Sequence, residues 1–298
     1  MRTLDFYNGD RTETVVALGF FDSIHVGHQA IINKAKEVAK NLNVDCAVFT
    51  FKNDIDSLIK DTNGLVFTYE ERLKKLSKLS VDSVISTVFT KEFSNLLAKE
   101  FFNALTSNFK VKAIVCGKDY RFGYKGEGDV DFLQMICKDK GVVLYIVDDF
   151  AINEKRVSTT YIKELLLNGE IKVANELLGE SYFLSGEVEH GREVGRVMGF
   201  PTANVIIDKD KAKIKAGVYK THVVIEDKKY NCITNYGSRP TFDLNEVLTE
   251  TYIDGYKGDL YGKNLTIFFD EYLRECVKFN SIDELTAQLQ KDLEKIRW

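Results

Sequence analysis

The sequence predicts two domains of different fold class: an α/β domain with a parallel sheet, then a small antiparallel β-barrel with a C-terminal helix. In the first half, short apolar runs alternate with helical patterns, as in βαβ units. From about Tyr182, β-forming runs are separated by Gly and Asp turns, and a helical period returns only near the end. The 298 residues give room for two domains. We expect them at 1–180 and 181–298, the first including a helical connector at about 150–180.

The individual elements follow from hydrophobic periodicity. Buried strands, which we expect to form a sheet covered on both faces, are predicted at 15–18, 46–49, 83–88, 113–115 and 142–147. A helix is predicted over 28–42, with one apolar face made of Ile31, Ala35, Val38 and Leu42. Near the C-terminus, Ser281 and Glu284 have the spacing of a capping box, and an apolar face follows it at Leu285, Leu289, Leu293 and Ile296.

Composition restricts the class of protein. Charged residues make up 29% and apolar residues 44% of the chain, which is typical of a globular protein. The formal net charge is -4, with a pI near 5.7, and this disfavours a nucleic-acid partner. We expect no membrane span and no signal peptide, hence a cytoplasmic protein. The five cysteines are scattered without a CxxC pair, which favours buried thiols over disulfides or zinc ligands.

The first chemical signal is GFFDSIHVGH at 19–28, directly after the first predicted strand. A strand, a tight turn and a helix N-terminus present free N–H groups and a positive dipole end, which suit a phosphate. Gly27 permits close approach of a ligand, and His25 and His28 can flank an oxyanion. The alternatives are ordinary helix capping or a zinc site. Zinc would need further ligands, and the other histidines, His190 and His222, lie far along the chain.

This segment resembles the HxGH signature of nucleotidylyltransferases, and its surroundings resemble the bacterial bifunctional riboflavin kinase/FAD synthetase family. Residues 117–123 (GKDYRFG) resemble that family's GxDxxFG loop, and residues 156–163 (RVSTTYIK) resemble its SSTxxR element. The resemblance implies a Rossmann-like nucleotidylyltransferase domain. It also implies that ATP binds with its α-phosphate near His25 and His28, and that FMN phosphate attacks in line to give FAD and pyrophosphate.

The resemblance implies roles for individual residues. His25 and His28 would be catalytic, Asp119 would hold nucleotide or flavin, and Phe51 would contact the flavin. The residues implied to bind ATP or phosphate in this half are Gly19, Phe20, Asp22, Gly27, Asp119, Phe122, Gly123, Arg156, Ser158, Thr159, Thr160 and Lys163.

The chain departs from the family's pattern at three places. Lys163 stands where the family has Arg, which keeps the charge but loses the bidentate fork. Thr159 stands in place of a second serine. Residues 51–55 (FKNDI) replace a motif with Pro and His that helps hold the flavin in the resembling proteins, so this change concerns flavin recognition.

The second half carries a glycine-rich segment that ends in Pro-Thr-Ala-Asn at 201–204. Three glycines four apart, with two arginines between them, can bind an anion through backbone N–H groups, although a plain surface turn has the same composition. The segment resembles the PTAN motif of riboflavin kinases. Residues 235–242 (NYGSRPTF) resemble the family's NxGxRPTF loop, and residues 249–253 (TETYI) resemble the strand with its acidic residue.

By this resemblance, Glu250 is the general base that takes the proton from the riboflavin 5′-hydroxyl. Read without the motif, Glu250 would be an exposed strand carboxylate. Thr202 and Asn204 would hold Mg²⁺, because a hydroxyl and an amide oxygen suit a hard cation. Arg274 and Phe279 match a segment near the flavin pocket. The residues implied to bind ATP in this half are Gly191, Arg196, Gly199, Pro201 and Asn235.

The resemblance extends over residues 19–293 and implies a bifunctional enzyme that makes FMN from riboflavin and FAD from FMN. ATP is the implied co-substrate and Mg²⁺ the implied metal. The expected partners are riboflavin, FMN, FAD and ATP, without nucleic acid or membrane. Two alternatives stay open: a riboflavin kinase whose first domain has lost flavin binding through the altered 51–55 loop, and a flavin- or nucleotide-binding regulator.

Overall fold

A computed structural model describes residues 1–55, 63–152, 154–190, 200–238, 247–279 and 281–297. The chain divides into two compact units, Met1–Thr159 and Thr160–Trp298. The first unit contains an open six-stranded sheet and the second a closed six-stranded barrel, which confirms the predicted fold class.

All strands of the first sheet are parallel, in the order β1-β4-β3-β2-β5-β6. The strands are β1 (Arg2–Asp5), β2 (Asp10–Leu18), β3 (Asp45–Phe51), β4 (Ser83–Thr87), β5 (Phe109–Gly117) and β6 (Val143–Val147). The helices are α1 (Val26–Leu42), α2 (Tyr69–Lys78), α3 (Lys91–Ser94), α4 (Ala98–Asn108) and α5 (Val130–Lys140). A hairpin of β7 (Ala151–Ile152) and β8 (Lys155–Arg156) follows. The chain leaves β2 toward β3 on one side, whereas β5 lies on the other, so the order reverses at β2.

The sheet is buried on both faces. Along β2, Val16 and Leu18 belong to one apolar cluster, while Val15 and Ala17 belong to another. Because successive strand residues point to opposite faces, each cluster is the core of one face. This confirms the predicted sheet with helices on both sides.

Two strands differ from expectation. β1 was not predicted, because its sequence, RTLD, has no apolar run; it forms by parallel pairing with β4. β6 was predicted to be buried, but it is an edge strand in which Val143 is 51% exposed and Ile146 is 41% exposed. An apolar run alone does not distinguish an edge strand from a central one.

Helix α1 begins at Val26 because the ring of His25 caps its N-terminus. Its buried residues are Ile32, Ala35, Val38 and Ala39. The predicted face was therefore partly wrong: Leu42 is 47% exposed, since the chain turns away at Asn43 in the left-handed conformation.

In the second unit, helices precede the barrel. They are α6 (Thr159–Asn168) and α7 (Ile171–Leu178). The barrel order is β10-β13-β12-β11-β14-β9. Its strands are β9 (Tyr182–Glu189), β10 (Thr202–Ile206), β11 (Gly217–Ile225), β12 (Lys228–Ser238), β13 (Val247–Ile253) and β14 (Asn264–Arg274). The Asn175 side chain donates to Phe269 O (2.8 Å) and accepts from Tyr182 N (2.7 Å), so α7 is tied to two strands of the barrel.

Threonine hydroxyls satisfy one another inside the barrel. Thr234 Oγ1 lies 2.7 Å from Thr221 Oγ1 and 2.9 Å from Thr251 Oγ1, and all three residues are fully buried. Buried hydroxyls require such partners. Since side chains alternate along a strand, the neighbouring residues Asn235 and Glu250 point to the outer face.

The last helix, α8 (Ile282–Ile296), covers part of that outer face. Its N-terminus is capped by Ser281, whose Oγ accepts from Glu284 N at 3.2 Å, which confirms the predicted start. Leu293 and Ile296 pack in one cluster with barrel residues Val218 and Ile233.

Four of the five cysteines are buried, and Cys276 is exposed, so the prediction of buried thiols fails at that position. In the part of the chain that the structure describes, no helix is long and apolar enough to span a membrane.

We predict that Gly186→Ala lowers the free energy of unfolding of the barrel by about 1–3 kcal/mol, the usual cost of overpacking. A Cβ on Gly186 would lie 1.9 Å from Ile206 O, a backbone atom held in β10. Gly237→Ala is the matched control, because no atom of the described residues lies within 4 Å of the Cβ position there. Urea unfolding of both variants tests this; equal stability would contradict it.

Candidate active sites

The loop between β2 and α1 has a backbone that few residues tolerate. Phe21 and Ile24 both have positive φ, 53° and 43°. A Cβ on Gly19 would lie 2.9 Å from the Phe21 ring, so glycine is required for this path. The loop lies beside β5, where the strand order reverses, and this is the usual ligand position in open α/β sheets.

The two histidines of this loop stack against each other. Their ring centroids are 3.7 Å apart and the planes are inclined by 14°. His25 Nδ1 accepts a hydrogen bond from His28 N at 3.1 Å, so His25 also caps α1. Gly27 suits the same packing, because a Cβ there would lie 3.1 Å from the His25 ring, which is a tight contact.

Burial keeps both rings neutral at pH 7. It lowers the pKa of His25 to about 4 and the pKa of His28 well below its ordinary value. Among the described residues, the buried Nδ1 of His28 has no hydrogen-bond partner. A neutral imidazole has one N–H donor and one acceptor, so the pair can donate hydrogen bonds to phosphate without carrying charge.

Charged groups next to His25 come from two other segments that the sequence singled out. Asp119, from the loop after β5, forms an ion pair with Arg156. Arg156 also lies 3.1 Å (Nε) from Asp149 Oδ1. The charge of Asp119 acts to raise the pKa of His25 and that of Arg156 to lower it, although burial dominates. The structure therefore brings Asp119 and Arg156 to the histidines.

A hydroxyl pair joins Thr159, the last residue of the first unit, to the same loop. Ser23 Oγ lies 2.8 Å from Thr159 Oγ1. Ser158 is half-buried beside it. Thr160 is exposed and Lys163 half-buried, and both belong to the second unit.

Other residues predicted to bind ATP have contacts that shape the loops. Asp22 is 1% exposed, and its Oδ1 accepts from Val66 N at 2.9 Å. Phe122 lies in the core of the first unit. Gly123 has φ 76°, and a Cβ there would lie 2.5 Å from Ala98 N, so only glycine fits.

The 51–55 loop is held by a side chain that mimics a strand. Asn53 Nδ2 donates to Phe89 O (3.0 Å), and Asn53 Oδ1 accepts from Phe89 N (2.7 Å). Phe51 is half-buried, and its ring centroid lies 6.3 Å from that of Phe20 in the histidine loop. The histidine loop and the 51–55 loop, for which a flavin contact is predicted, are therefore neighbours.

Sequence reasoning missed Arg72 of α2, which is fully buried and donates to the backbone at both Phe20 and Phe51. The available signal was a cation four residues before Leu76 on the buried face of the helix.

In the barrel, strand register collects the predicted kinase residues in one row. Asn204 of β10 is directly opposite Glu250 of β13, which is opposite Asn235 of β12. The row continues through Val218 of β11 to Arg274 of β14. Residues directly opposite in antiparallel strands have Cβ atoms about 5 Å apart on one face.

The chemistry of this row suits a phosphoryl-transfer site. Glu250 is exposed and Asn204 is only 6% exposed. Thr202, two residues before Asn204, lies on the same face. Glu189, which sequence reasoning missed, is opposite Asn204 on its other side. Carboxylate, amide and hydroxyl oxygens are the ligands that Mg²⁺ takes in proteins, so the residues present fit that ion.

Two further contacts border the row. Cys276 Sγ lies 3.0 Å from Asn235 Oδ1. Arg274 donates to Asp292 Oδ2 of α8 from Nη2 (2.7 Å) and Nε (3.0 Å), and Asp292 is fully buried. Arg274 thus joins the helix to the barrel. Phe279 is half-buried.

Some predicted residues cannot be placed. Gly191, Arg196 and Gly199, with 239–242 of the NxGxRPTF match, lie outside the described residues. Pro201 is described and exposed. Within the described ranges, no group of three or more His, Cys, Asp or Glu side chains could hold a metal ion.

Comparison with known proteins identifies a family for each half of the chain. Residues 8–161 match the family described as FAD synthetase, and residues 178–298 match the family described as riboflavin kinase. A bifunctional riboflavin kinase/FMN adenylyltransferase from Listeria monocytogenes is 34% identical over 287 residues, 95% of this chain and 91% of that protein. A protein of the same name from Bacillus subtilis is 30% identical over 289 residues, 95% of this chain and 91% of that one.

Among solved structures, a crystal structure described as a macrolide-efflux protein from Streptococcus pneumoniae has a TM-score of 0.91 and 30% identity, with 100% of both chains covered. That description applies to that protein, and the likeness supports the fold. The FAD synthetase and riboflavin kinase matches together cover most of the chain, and the relatives extend across both. The chain belongs to the bifunctional riboflavin kinase/FMN adenylyltransferase family.

Proposed function

We propose that the first unit transfers AMP from ATP to FMN at the His25–His28 site, and that the barrel phosphorylates riboflavin at the Glu250 row. The observation that carries this is the convergence of separate sequence motifs: His25, Asp119 and Arg156 meet in one unit. Asn204, Glu250 and Asn235 meet in the other. The corresponding functional domains are 1–180 and 181–298.

In adenylyl transfer, a phosphate oxygen of FMN forms a bond to the α-phosphorus of ATP. The bond from that phosphorus to the bridging oxygen breaks, and pyrophosphate leaves. His25 and His28 donate from neutral rings to the α-phosphate, where negative charge develops. The N-terminus of α1 adds free N–H groups and its dipole. Positioning and electrostatics carry the step, without a covalent intermediate.

In the kinase reaction, Glu250 removes the proton of the riboflavin 5′-hydroxyl. The oxygen then bonds to the γ-phosphorus, and ADP leaves. Thr202 and Asn204 would hold Mg²⁺, which when bound neutralises charge on the phosphates. Asn204 lies directly opposite Glu250, so the base and the metal side of the site face each other across one strand pair. Because both reactions consume ATP, we propose that the enzyme works in the cytoplasm, with riboflavin, FMN, FAD and ATP as its partners.

When riboflavin is mixed with ATP and Mg²⁺, a chromatographic time course should show FMN first and then FAD. The order is expected because FMN is the product of one site and the substrate of the other. FMN that accumulates without FAD, even with added reductant, would favour a kinase with an impaired first domain. Absence of both products would favour a binding protein.

Single substitutions should separate the two reactions. His28→Ala should lower FAD formation from FMN by about 100-fold or more, as expected for loss of one transition-state donor. Glu250→Gln should lower FMN formation by a factor on the order of 100 to 10,000. Each variant should retain the other activity, and Glu294→Gln, an exposed change on α8, is the charge control. Loss of both activities in one folded variant would contradict the two-site assignment.

The buried histidines should make stability depend on pH. The unfolded chain binds protons near pH 6.5 and the folded His25 only near 4, so the free energy of unfolding falls as the pH drops through this window. At about 1.4 kcal/mol per pKa unit, the loss for His25 is on the order of 3 kcal/mol. Urea unfolding from pH 7.5 to 4 measures it. His25→Gln/His28→Gln should show a shallower dependence, and parallel curves would contradict the neutral pair.

A further inference from the structure

Arg72 is the largest fully buried side chain of the described residues, and no step proposed above uses it. It lies in the first turns of α2, at 0% exposure. Burial lowers the pKa of Arg72, while the nearby charges of Asp22 and Asp54 oppose that shift. An arginine remains protonated in proteins, so a full positive charge lies inside the first unit. Burial of a charge is costly, and its contacts must offset that cost.

Its contacts join two segments that carry different parts of the site. Nη1 donates to Phe20 O at 3.1 Å and to Thr50 Oγ1 at 2.5 Å. Nη2 donates to Phe51 O at 2.8 Å. Thr50 Oγ1 in turn donates to Phe20 O at 2.6 Å. One guanidinium therefore links the histidine loop to the end of β3.

The linked residues lie on the two substrate sides. Phe20 is in the loop that leads to His25, and Phe51 begins the 51–55 loop. The guanidinium carbon of Arg72 lies 5.0 Å from the centre of the Phe20 ring, a cation–π contact. The Phe20 and Phe51 rings are 6.3 Å apart, and the same cation contacts both residues.

The histidine loop has further contacts besides those with Arg72, and the charge of Asp22 also acts on Arg72. Asp22 accepts from Val66 N, and Ser23 is paired with Thr159. Loss of Arg72 should therefore change the spacing between Phe20 and Phe51, because Arg72 donates to the backbone of both residues.

We infer that Arg72 is a positioning residue for adenylyl transfer, which holds Phe51 at the distance from the histidine loop that in-line attack by FMN requires. This inference rests on the proposed function of the first unit. A planar fork can bond two segments at once, whereas the ammonium of a lysine is a single point. A displacement of about 1 Å between reacting groups can cost about 100-fold in rate.

The test uses the full chain, with FMN and ATP supplied so that the kinase step is bypassed. Arg72→Met should lower kcat/KM for FMN by about 10- to 100-fold, and raise the KM for FMN by about 5-fold or more. The KM for ATP should change less than about 2-fold. Arg72→Lys should recover part of the loss. Lys74→Met, exposed on the same helix, is the matched control.

Urea unfolding of each full-length variant reports whether its first unit is folded, and riboflavin kinase activity of the same polypeptide reports on the second unit. A purely structural role would reduce the amount of active enzyme without a selective change in the KM for FMN. If Arg72→Met also loses kinase activity, the KM for FMN of Arg72→Lys is the deciding measurement: a selective rise supports the inference, and a wild-type value overturns it. Wild-type values of kcat and KM in the folded variants would overturn the inference. Failure of the wild-type chain to form FAD would instead overturn the proposed function.

Discussion

Asn204 faces Glu250 because β10 pairs with β13 in one register, and a shift of one residue would send either side chain into the barrel. Threonines at neighbouring positions of β13 make such a shift costly, since Thr249 Oγ1 donates to Val205 O of β10 and Thr251 pairs with Thr234 of β12. The outer row therefore depends on the inner one. In the first unit the equivalent constraint is parallel pairing, which brings the C-terminal ends of β2 and β5, and thus the histidine loop and Asp119, to the same edge.

The first unit buries two neutral histidines and one charged arginine in different places. The stacked histidines lose their charge by burial, whereas Arg72 keeps its charge beneath the loop that carries them. Neutral imidazoles can donate hydrogen bonds to an anionic phosphate without first taking up a proton. Arg72 donates to backbone oxygens of both loops and so holds them in place. In this role it does not bind the ligand. Preorganised groups of this kind require no rearrangement at the moment of reaction.

In the second unit, helix α8 covers part of the outer face of the barrel, beside the row that carries Glu250. Helix α8 is joined to β14 by the ion pair of Arg274 with fully buried Asp292, and to the barrel by Leu293 and Ile296. The arginine that was expected beside the flavin thus has a bidentate partner on the helix. Cys276 then lies against Asn235, so the segment after β14 borders the row that carries Glu250.

The sequence by itself determined the two fold classes, the presence of α1 and the start of α8. It also singled out the residues of both candidate sites, because all of these depend on local patterns and motifs. It did not reveal that β6 is an edge strand, that Leu42 is exposed, or that Asp22 turns inward to Val66. Nor did it reveal Arg72 or Glu189. Burial of an arginine, and the residue opposite a given strand position, depend on contacts between segments far apart in the chain. Only the tertiary structure decides those contacts, since local sequence carries no record of which strand will be the neighbour.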